Sequence, residues 1–279
     1  SHTQLQDFER EISLTAKLLR HPNTVKMLGF VRGSNPQIVM ELYPYGSIED
    51  LQSTKDAAAK TEWSKLTFAD WLGIAVCASA GLINLHESNV VHCDVACRNV
   101  LLKKDFTAAV SDFGLAVQLP EGKDVGVDNS SDLPSVTTAP EIWHTGTFGK
   151  SADVFMFGLF VFEMFARCDP FHGNALLDSG IEADFDTFLA KVRNGTLRPS
   201  LPAKWPQNLK DLIQKCWVSD PSARPTMKEV NEELRVIQTG AKTNDLPLPP
   251  FDASIARSGQ HQHYRRRQVL EQHYHQAKV

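Results

Sequence analysis

Residues 92–102 read HCDVACRNVLL. Within them Asp94 and Asn99 stand five positions apart, Arg98 directly precedes Asn99, and an apolar run closes the stretch. Thirteen positions after Asn99 comes a second acid, Asp112, in the tetrapeptide SDFG that ends in glycine. An Asp that accepts a hydroxyl proton, together with an Asn and an Asp that bind Mg²⁺, are the groups that phosphoryl transfer requires. The spacing therefore predicts a phosphoryl-transfer site built on two successive loops.

A third motif, Ala139-Pro140-Glu141, follows further along the chain. Together the three motifs resemble the catalytic loop, the Asp-Phe-Gly motif and the Ala-Pro-Glu motif of the protein kinase family. The resemblance implies a transferase of signal transduction that uses ATP and Mg²⁺ and acts on a protein substrate. It also implies an α+β, bilobal fold with an incomplete, β-rich small lobe and a complete, mainly α-helical large lobe.

The resemblance assigns roles to individual residues of these loops. Asp94 matches the base that accepts the proton of the substrate hydroxyl, and Asn99 and Asp112 match the residues that hold Mg²⁺. Leu101 matches the apolar residue beneath the adenine ring. Arg98 matches the Arg that tyrosine kinases carry next to the Asn, and is counted with Asp94 and Asn99 among the catalytic residues.

Two segments before the catalytic loop resemble the parts of a kinase that surround ATP. Residues 5–19 show apolar side chains at helical spacing, and in the family a Glu on this helix, here Glu11, pairs with a strand Lys that holds the phosphates. The alternative for Glu11 is an ordinary solvated acid. The strand at residues 37–43 runs into a turn and resembles the hinge; Met40 matches the gatekeeper residue. The backbones of Glu41 and Tyr43 match the groups that bond to adenine.

The resemblance divides the chain into three parts. Residues 1–43 correspond to a partial small lobe, and residues 44–239 to the hinge and the large lobe, whose last helix is predicted to end near Ile237. Residues 240–279 form a Pro-containing linker and a basic tail rich in His and Gln. From Arg257 onward the tail has five basic residues and one acidic residue, so it carries about +4 and the remainder about −8. This tail is a candidate for contacts with partner proteins.

The sequence holds no glycine-rich phosphate loop and no strand Lys ahead of Glu11. These groups position and stabilise the phosphates, so we expect the 279 residues alone to bind ATP poorly and to be nearly inactive. We expect the intact gene product to be an active kinase. The alternative is a pseudokinase, or a scaffold or adaptor domain without catalysis. The joint presence of Asp94, Asn99 and Asp112 favours the enzyme.

The residues around the catalytic Asp indicate which hydroxyl accepts the phosphate. Ala96 replaces the Lys that is typical of serine/threonine kinases, and Arg98 and Pro134 are typical of tyrosine kinases. Thr137 stands where a tyrosine kinase carries Trp, so a serine/threonine kinase of the tyrosine-kinase-like group is the alternative. Cys93 replaces the Arg that pairs with a phosphate on the activation loop in many kinases. We therefore expect activity to be insensitive to phosphorylation of that loop.

Two helices and two supporting charged residues are also predicted in the large lobe. Residues 68–87 show the apolar spacing of a long helix, and residues 154–165 are predicted to be a helix buried in the protein, being too short to cross a bilayer. Asp153 precedes this buried helix and matches a family residue that bonds to the catalytic-loop backbone. Arg224 matches the partner of Glu141 in a buried ion pair.

Composition narrows the class of protein. A net charge of −4 argues against a general nucleic-acid-binding protein. The odd number of cysteines, five, indicates thiols in a reducing compartment and not a disulfide framework. With neither a signal peptide nor a membrane span expected, the predicted location is the cytoplasm, or the cytoplasmic side of a membrane if the whole protein is a receptor.

Overall fold

The computed structural model describes residues 11–16, 20–33, 36–54, 61–127, 136–172 and 182–243, together with residues 9, 18 and 174. The N-terminal part holds a helical segment over residues 11–16 and a two-stranded antiparallel sheet. In this sheet β1 (Met27–Val31) pairs with β2 (Gln37–Met40), and Val31 lies opposite Gln37. Pro134 and the linker and tail beyond residue 243 lie outside the described residues.

In the described residues that come after this sheet, six short strands pair two by two, all antiparallel. They are β3 (Val90–Val91), β4 (Val100–Leu102), β5 (Ala108–Val110), β6 (Val117–Gln118), β7 (Val125–Val127) and β8 (Thr147–Gly149). β3 pairs with β6, β4 with β5, and β7 with β8. The β4–β5 hairpin sets the spacing of the site, because the catalytic-loop motif ends in β4 and Asp112 comes two residues after β5.

The helices make up most of the C-terminal part, which confirms the predicted α+β class. They are α1 (Ile48–Ser53), α2 (Phe68–Glu87), α3 (Pro140–Thr145), α4 (Lys150–Ala166), α5 (Glu182–Arg193), α6 (Gln207–Cys216) and α7 (Met227–Thr243). The helix predicted for residues 68–87 is confirmed as α2. The last helix extends six residues beyond the predicted end at Ile237, and Ala241 within that extension is buried.

α2 begins at a capping box and ends at the catalytic loop. Its N-cap Thr67 accepts a hydrogen bond from the Asp70 N–H, and the Asp70 carboxylate accepts one from the Thr67 N–H. Asn231 of α7 donates to the Val76 carbonyl (3.0 Å) and to the Ser79 hydroxyl (2.7 Å) along the packed face. Within the described residues, α2 is long and apolar enough to cross a bilayer, but 72% of its most apolar window is buried in the protein.

α4 is the central buried helix, as predicted for residues 154–165. Every one of its residues from Ala152 to Ala166 is buried, which includes the two acids Asp153 and Glu163. The helix packs closely against α6 at Gly158, where an added Cβ would lie 2.8 Å from the Cβ of Cys216. α4 therefore gives the site a rigid support from which two carboxylates project.

Candidate active site

Asp94 is held by two side chains of its own loop. Arg98 donates through Nη2 to one carboxylate oxygen, and Asn99 donates through Nδ2 to the other at 2.7 Å. The same Nδ2 donates to the Asp94 carbonyl at 2.8 Å. The 3₁₀ turn Cys97–Asn99 brings both partners back over Asp94. The three predicted catalytic residues are thus brought together in one hydrogen-bonded group.

The loop that carries Asp112 is joined to this group through backbone atoms. The Asn99 carbonyl accepts hydrogen bonds from the Ser111 N–H (2.9 Å) and the Ser111 hydroxyl (3.0 Å). His92 Nδ1 accepts from the Asp94 N–H at 3.2 Å, and its Nε2 lies 3.0 Å from the Ser111 carbonyl. This pattern assigns a neutral His92 with its proton on Nε2. These hydrogen bonds therefore join the two loops to each other.

Asp112 is exposed and adopts a left-handed backbone conformation, with φ of 62°. Its carboxylate accepts a 3.3 Å hydrogen bond from the Gly114 N–H, and Phe113 packs edge-on against His92 with ring centroids 5.6 Å apart. Positive φ is uncommon outside glycine, so the bonds and packing on either side hold this residue in place. Carboxylate and amide oxygens, as in Asp112 and Asn99, are ligands that suit Mg²⁺.

Glu11, on the helical segment over residues 11–16, is close enough to Asp112 to respond to its charge. Burial, and then the negative charge of Asp112, raise the pKa of the Glu11 carboxyl. Two carboxylates that feel one another's charge lie near each other in space. Glu11 is half-buried, which favours its assignment to the site, and that assignment stays a prediction.

Asp153 supports the catalytic loop from below, as predicted. Its two carboxylate oxygens accept hydrogen bonds from the N–H groups of His92 and Cys93, each at 2.9 Å. His86 Nε2 lies 2.8 Å from the same carboxylate. Asp153 is fully buried, and these three donors satisfy its charge where water cannot reach.

The segment after β2 is fastened to the β4–β5 hairpin by Lys103. Lys103 Nζ forms a 2.9 Å ion pair with Glu41 and lies 5.4 Å from the centre of the Tyr43 ring. Tyr43 is buried, and Leu101 packs against its cluster from β4. Met40, at the end of β2, is 47% exposed. Sequence reasoning missed Lys103, because nothing local marks its contact with a residue 62 positions away.

A family model for protein tyrosine and serine/threonine kinases matches residues 1–234. The chain belongs to the protein kinase family. The bilobal resemblance drawn from the three motifs is therefore confirmed at the level of the family.

Curated relatives of this kinase chain have different acceptor classes in their names. Dual specificity protein kinase shkE of Dictyostelium discoideum is 26% identical over 252 residues, which cover 90% of this chain and 33% of the relative. Probable serine/threonine-protein kinase drkA of the same organism is 31% identical over 238 residues, which cover 84% of this chain and 34% of the relative. Protein-tyrosine kinase 6 of Mus musculus is 31% identical over 229 residues, which cover 81% of this chain and 47% of the relative. The chain thus spans about a third to a half of the length of these relatives.

The kinase's Ala-Pro-Glu motif is tied to the core by the predicted ion pair. Both Glu141 oxygens accept from Arg224, at 2.6 and 3.0 Å, and the Arg224 side chain has no exposed surface. A second guanidinium, Arg198, lies 5.2 Å from the centre of the Phe155 ring, and Arg224 lies 4.9 Å from it. Burial and the charge of Arg224 lower the pKa of Arg198 to about 10. Glu141 therefore forms its ion pair with the buried Arg224, while the half-buried Arg198 lies against the same aromatic ring.

Cys93 is buried in an apolar cluster with Val91, Val117 and Leu119. The cluster joins the β3–β6 pair to the start of the activation loop. Cys93 itself stands at the position where many kinases carry an Arg. Of the hydroxyl residues near the Ala-Pro-Glu motif, Thr138 is only 3% exposed, which leaves it a poor target for another kinase. Ser130, Ser131 and Ser135, the serines of the activation loop that another kinase could phosphorylate, lie outside the described residues.

Proposed function

We propose that the chain is the greater part of a protein kinase domain that transfers the γ-phosphoryl group of ATP to a protein hydroxyl, with tyrosine preferred. The observation that carries the proposal is the bonded group of Asp94, Arg98 and Asn99, joined through Ser111 to Asp112. Structural needs alone do not explain a half-buried carboxylate that is oriented by two side chains of its own loop and left 13% exposed.

Asp94 is the proposed base. A carboxylate held at both oxygens has a fixed direction, and it accepts the proton of the substrate hydroxyl as the oxygen attacks phosphorus. Arg98 keeps a positive charge beside the reacting groups because its guanidinium stays protonated at every relevant pH. The chain's own contribution is to position the hydroxyl and to take up its proton.

Asn99 and Asp112 are the proposed ligands of Mg²⁺, which would neutralise the charge on the phosphates of ATP. The Asn99 amide nitrogen is committed to Asp94, so its amide oxygen is the atom available to a cation. Asp112 offers an exposed carboxylate. For adenine, we propose the backbones of Glu41 and Tyr43, with Met40 at the back of the pocket and Leu101 below the ring.

The acceptor preference rests on Arg98 and Ala96. Ala96 stands two residues after Asp94, where serine/threonine kinases typically place a Lys, and Arg98 stands directly before Asn99, where tyrosine kinases typically carry an Arg. The alternative, a serine/threonine kinase, is favoured by Thr137, which takes the place of a Trp. The relatives carry dual-specificity, serine/threonine and tyrosine kinase names, so the acceptor has to be measured directly.

The test is phosphorylation of a peptide library by the intact protein with ATP and Mg²⁺, followed by phosphoamino-acid analysis. We expect mostly phosphotyrosine. Predominant phosphoserine or phosphothreonine would establish the serine/threonine alternative. No transfer at all, with a folded protein, would support the pseudokinase or scaffold. We also propose a cytoplasmic location, which is supported by the finding that none of the five cysteines, all of them described, forms a disulfide.

A further inference from the structure

Glu163 is a buried acid whose role no sequence motif explains. It lies near the end of α4, 6% exposed, between apolar neighbours on the most buried helix of the protein. A carboxylate in such a place is costly unless its charge is compensated. The charge of the other acid of α4, Asp153, is compensated by the backbone of the catalytic loop and by His86. The charge of Glu163 needs partners of its own.

One partner of Glu163 is the catalytic loop itself, at its other end. Glu163 Oε2 accepts a hydrogen bond from the Cys97 N–H at 3.1 Å. Cys97 begins the 3₁₀ turn that carries Arg98 and Asn99, and the residue before it, Ala96, has no side chain that can cap the turn. The first N–H groups of a helical turn need an acceptor from elsewhere. Glu163 supplies that acceptor from a rigid helix.

The charge of Glu163 also acts on the guanidinium of Arg98. Burial acts to lower the pKa of Arg98, and the carboxylates of Asp94, Glu163 and Glu49 outweigh it and hold the pKa above its usual value. Asp94 and Glu163 therefore both attract the same cation, one from the loop and one from α4. The position of Arg98, and through it the direction of the Asp94 carboxylate, depends on both.

We propose that Glu163 is a positioning residue for the reaction, which fixes the Arg98 and Asn99 end of the catalytic loop while Asp153 fixes the His92 and Cys93 end. Two acids of one helix then clamp the loop on either side of the base. Glu163 touches no reacting atom, and it acts through Cys97 and Arg98. The catalytic part of this role rests on the proposed kinase function, whereas the anchoring of the loop does not.

The experiment compares Glu163→Met, Glu163→Gln and Val161→Ala in the intact protein. Met keeps the volume but removes the acceptor, and Gln keeps an acceptor oxygen but removes the charge. Val161, 2% exposed on the same helix, is the matched control for general loss of core packing. Hydrogen exchange at the Cys97 amide, thermal unfolding, and kcat and KM for ATP and peptide are measured for each. If Glu163→Met does not fold, Glu163→Asp takes its place, because the shorter side chain withdraws the acceptor from Cys97.

We expect Glu163→Met to speed exchange at Cys97 by about 10-fold or more, the effect of losing a hydrogen bond to a charged group. Its kcat should fall by about 10- to 100-fold with each KM nearly unchanged, as for a misplaced catalytic group. Gln should restore slow exchange and only part of kcat, because Arg98 still lacks one carboxylate. Val161→Ala should lower the unfolding temperature with Cys97 exchange and kcat close to wild type.

Exchange at Cys97 in Glu163→Met that is no faster than in Val161→Ala would overturn the proposal. An equal loss of kcat in Val161→Ala would also overturn it, since Glu163 would then matter only for packing. The exchange measurement needs no turnover. A wild-type protein that fails to transfer phosphate would contradict the proposed function, while the exchange at Cys97 would still decide whether Glu163 anchors the loop.

Discussion

Asp94 owes its orientation to residues four and five positions later in the chain. A single 3₁₀ turn reverses the backbone so that Arg98 and Asn99 reach the two oxygens of its carboxylate. Each donor is charged or strongly polar, and hydrogen bonds to a charged group are the stronger kind. The direction of this carboxylate is therefore set within its own loop in the absence of substrate.

Breaking the Glu141–Arg224 pair should destabilise the protein strongly. Glu141→Gln removes the carboxylate to which the fully buried Arg224 side chain donates. We expect the free energy of unfolding to fall by about 3–5 kcal/mol, measured by equilibrium urea denaturation.

The control for this loss is Glu233→Gln, which breaks an ion pair of similar length on the surface. Glu233 and Lys215 are 2.9 Å apart, and their side chains are 34% and 55% exposed, so we expect a change of about 0–1 kcal/mol. Equal losses in the two variants would show that burial does not set the strength of the Glu141 pair.

The residues of the site were predictable to different degrees. Asp94, Asn99 and Asp112 were found because their spacing is short and local. Glu163 was visible in the sequence only as an acid in an apolar run, and its partner Cys97 lies 66 positions away. His86 and Lys103 gave no signal, since each meets its partner only after the helices and hairpins have packed. Local pattern therefore picks out Asp94, Asn99 and Asp112, and it misses Glu163, His86 and Lys103, whose contacts are long-range.

At the scale of elements, α2 shows why a glycine stands inside a long helix. At Gly81 the helix passes so close to the preceding segment that an added Cβ would lie 2.2 Å from the backbone oxygen of Asn23. Asn23 in turn bonds to the β4–β5 hairpin, since its amide nitrogen donates to the Ala108 carbonyl at 2.8 Å. Close packing at Gly81 thus joins α2 to the hairpin that carries both loops of the site.

Gly81→Ala should therefore be destabilising even though Ala favours helices. The backbone of Asn23 has to move to admit the methyl group, and overpacking of this kind costs about 1–3 kcal/mol. The matched control is Gly240→Ala on α7, where an added Cβ has nothing within 4 Å. That variant should gain about 0.5–1 kcal/mol from helix propensity. The measurement is thermal unfolding of both variants. A Gly81→Ala protein more stable than wild type would contradict the close approach of Gly81 to the Asn23 backbone.

The helices also show where apolar spacing predicts an end and where it does not. α2 has the predicted bounds because apolar residues reach to both of its ends. α7 continues past Ile237, the last strongly apolar residue of its buried face, through Gln238 and on to Ala241. Gln238 donates to the Ala69 carbonyl of α2 at 3.0 Å. A polar contact with another helix extends α7, and spacing of apolar residues alone cannot indicate it.

At the scale of the whole molecule, the described part of the small sheet has an exposed apolar surface. Leu28, Val39 and Leu42 are 58%, 45% and 80% exposed. Exposed apolar residues beside a short, two-stranded sheet favour association between chains. We expect the 279-residue chain to self-associate as its concentration rises.

Leu28→Lys combined with Leu42→Lys should reduce this association, as measured by sedimentation velocity over a range of concentrations. Val236→Lys is the control, because Val236 is 71% exposed but lies on α7 in the helical part. If Val236→Lys reduces association as much as the double variant, net charge and not the small sheet is responsible.

The central claim is that Asp94 is the base of a phosphoryl-transfer site, and its most direct test is the rate of phosphate transfer from ATP to a peptide by the intact protein carrying Asp94→Asn. Loss of a positioned base should lower kcat by about 10²–10⁴-fold while the affinity for ATP and the unfolding temperature stay near those of wild type. Asp220→Asn, which alters an exposed acid in the turn before α7, should leave the rate unchanged. An Asp94→Asn protein that transfers phosphate at a rate close to wild type would contradict the claim.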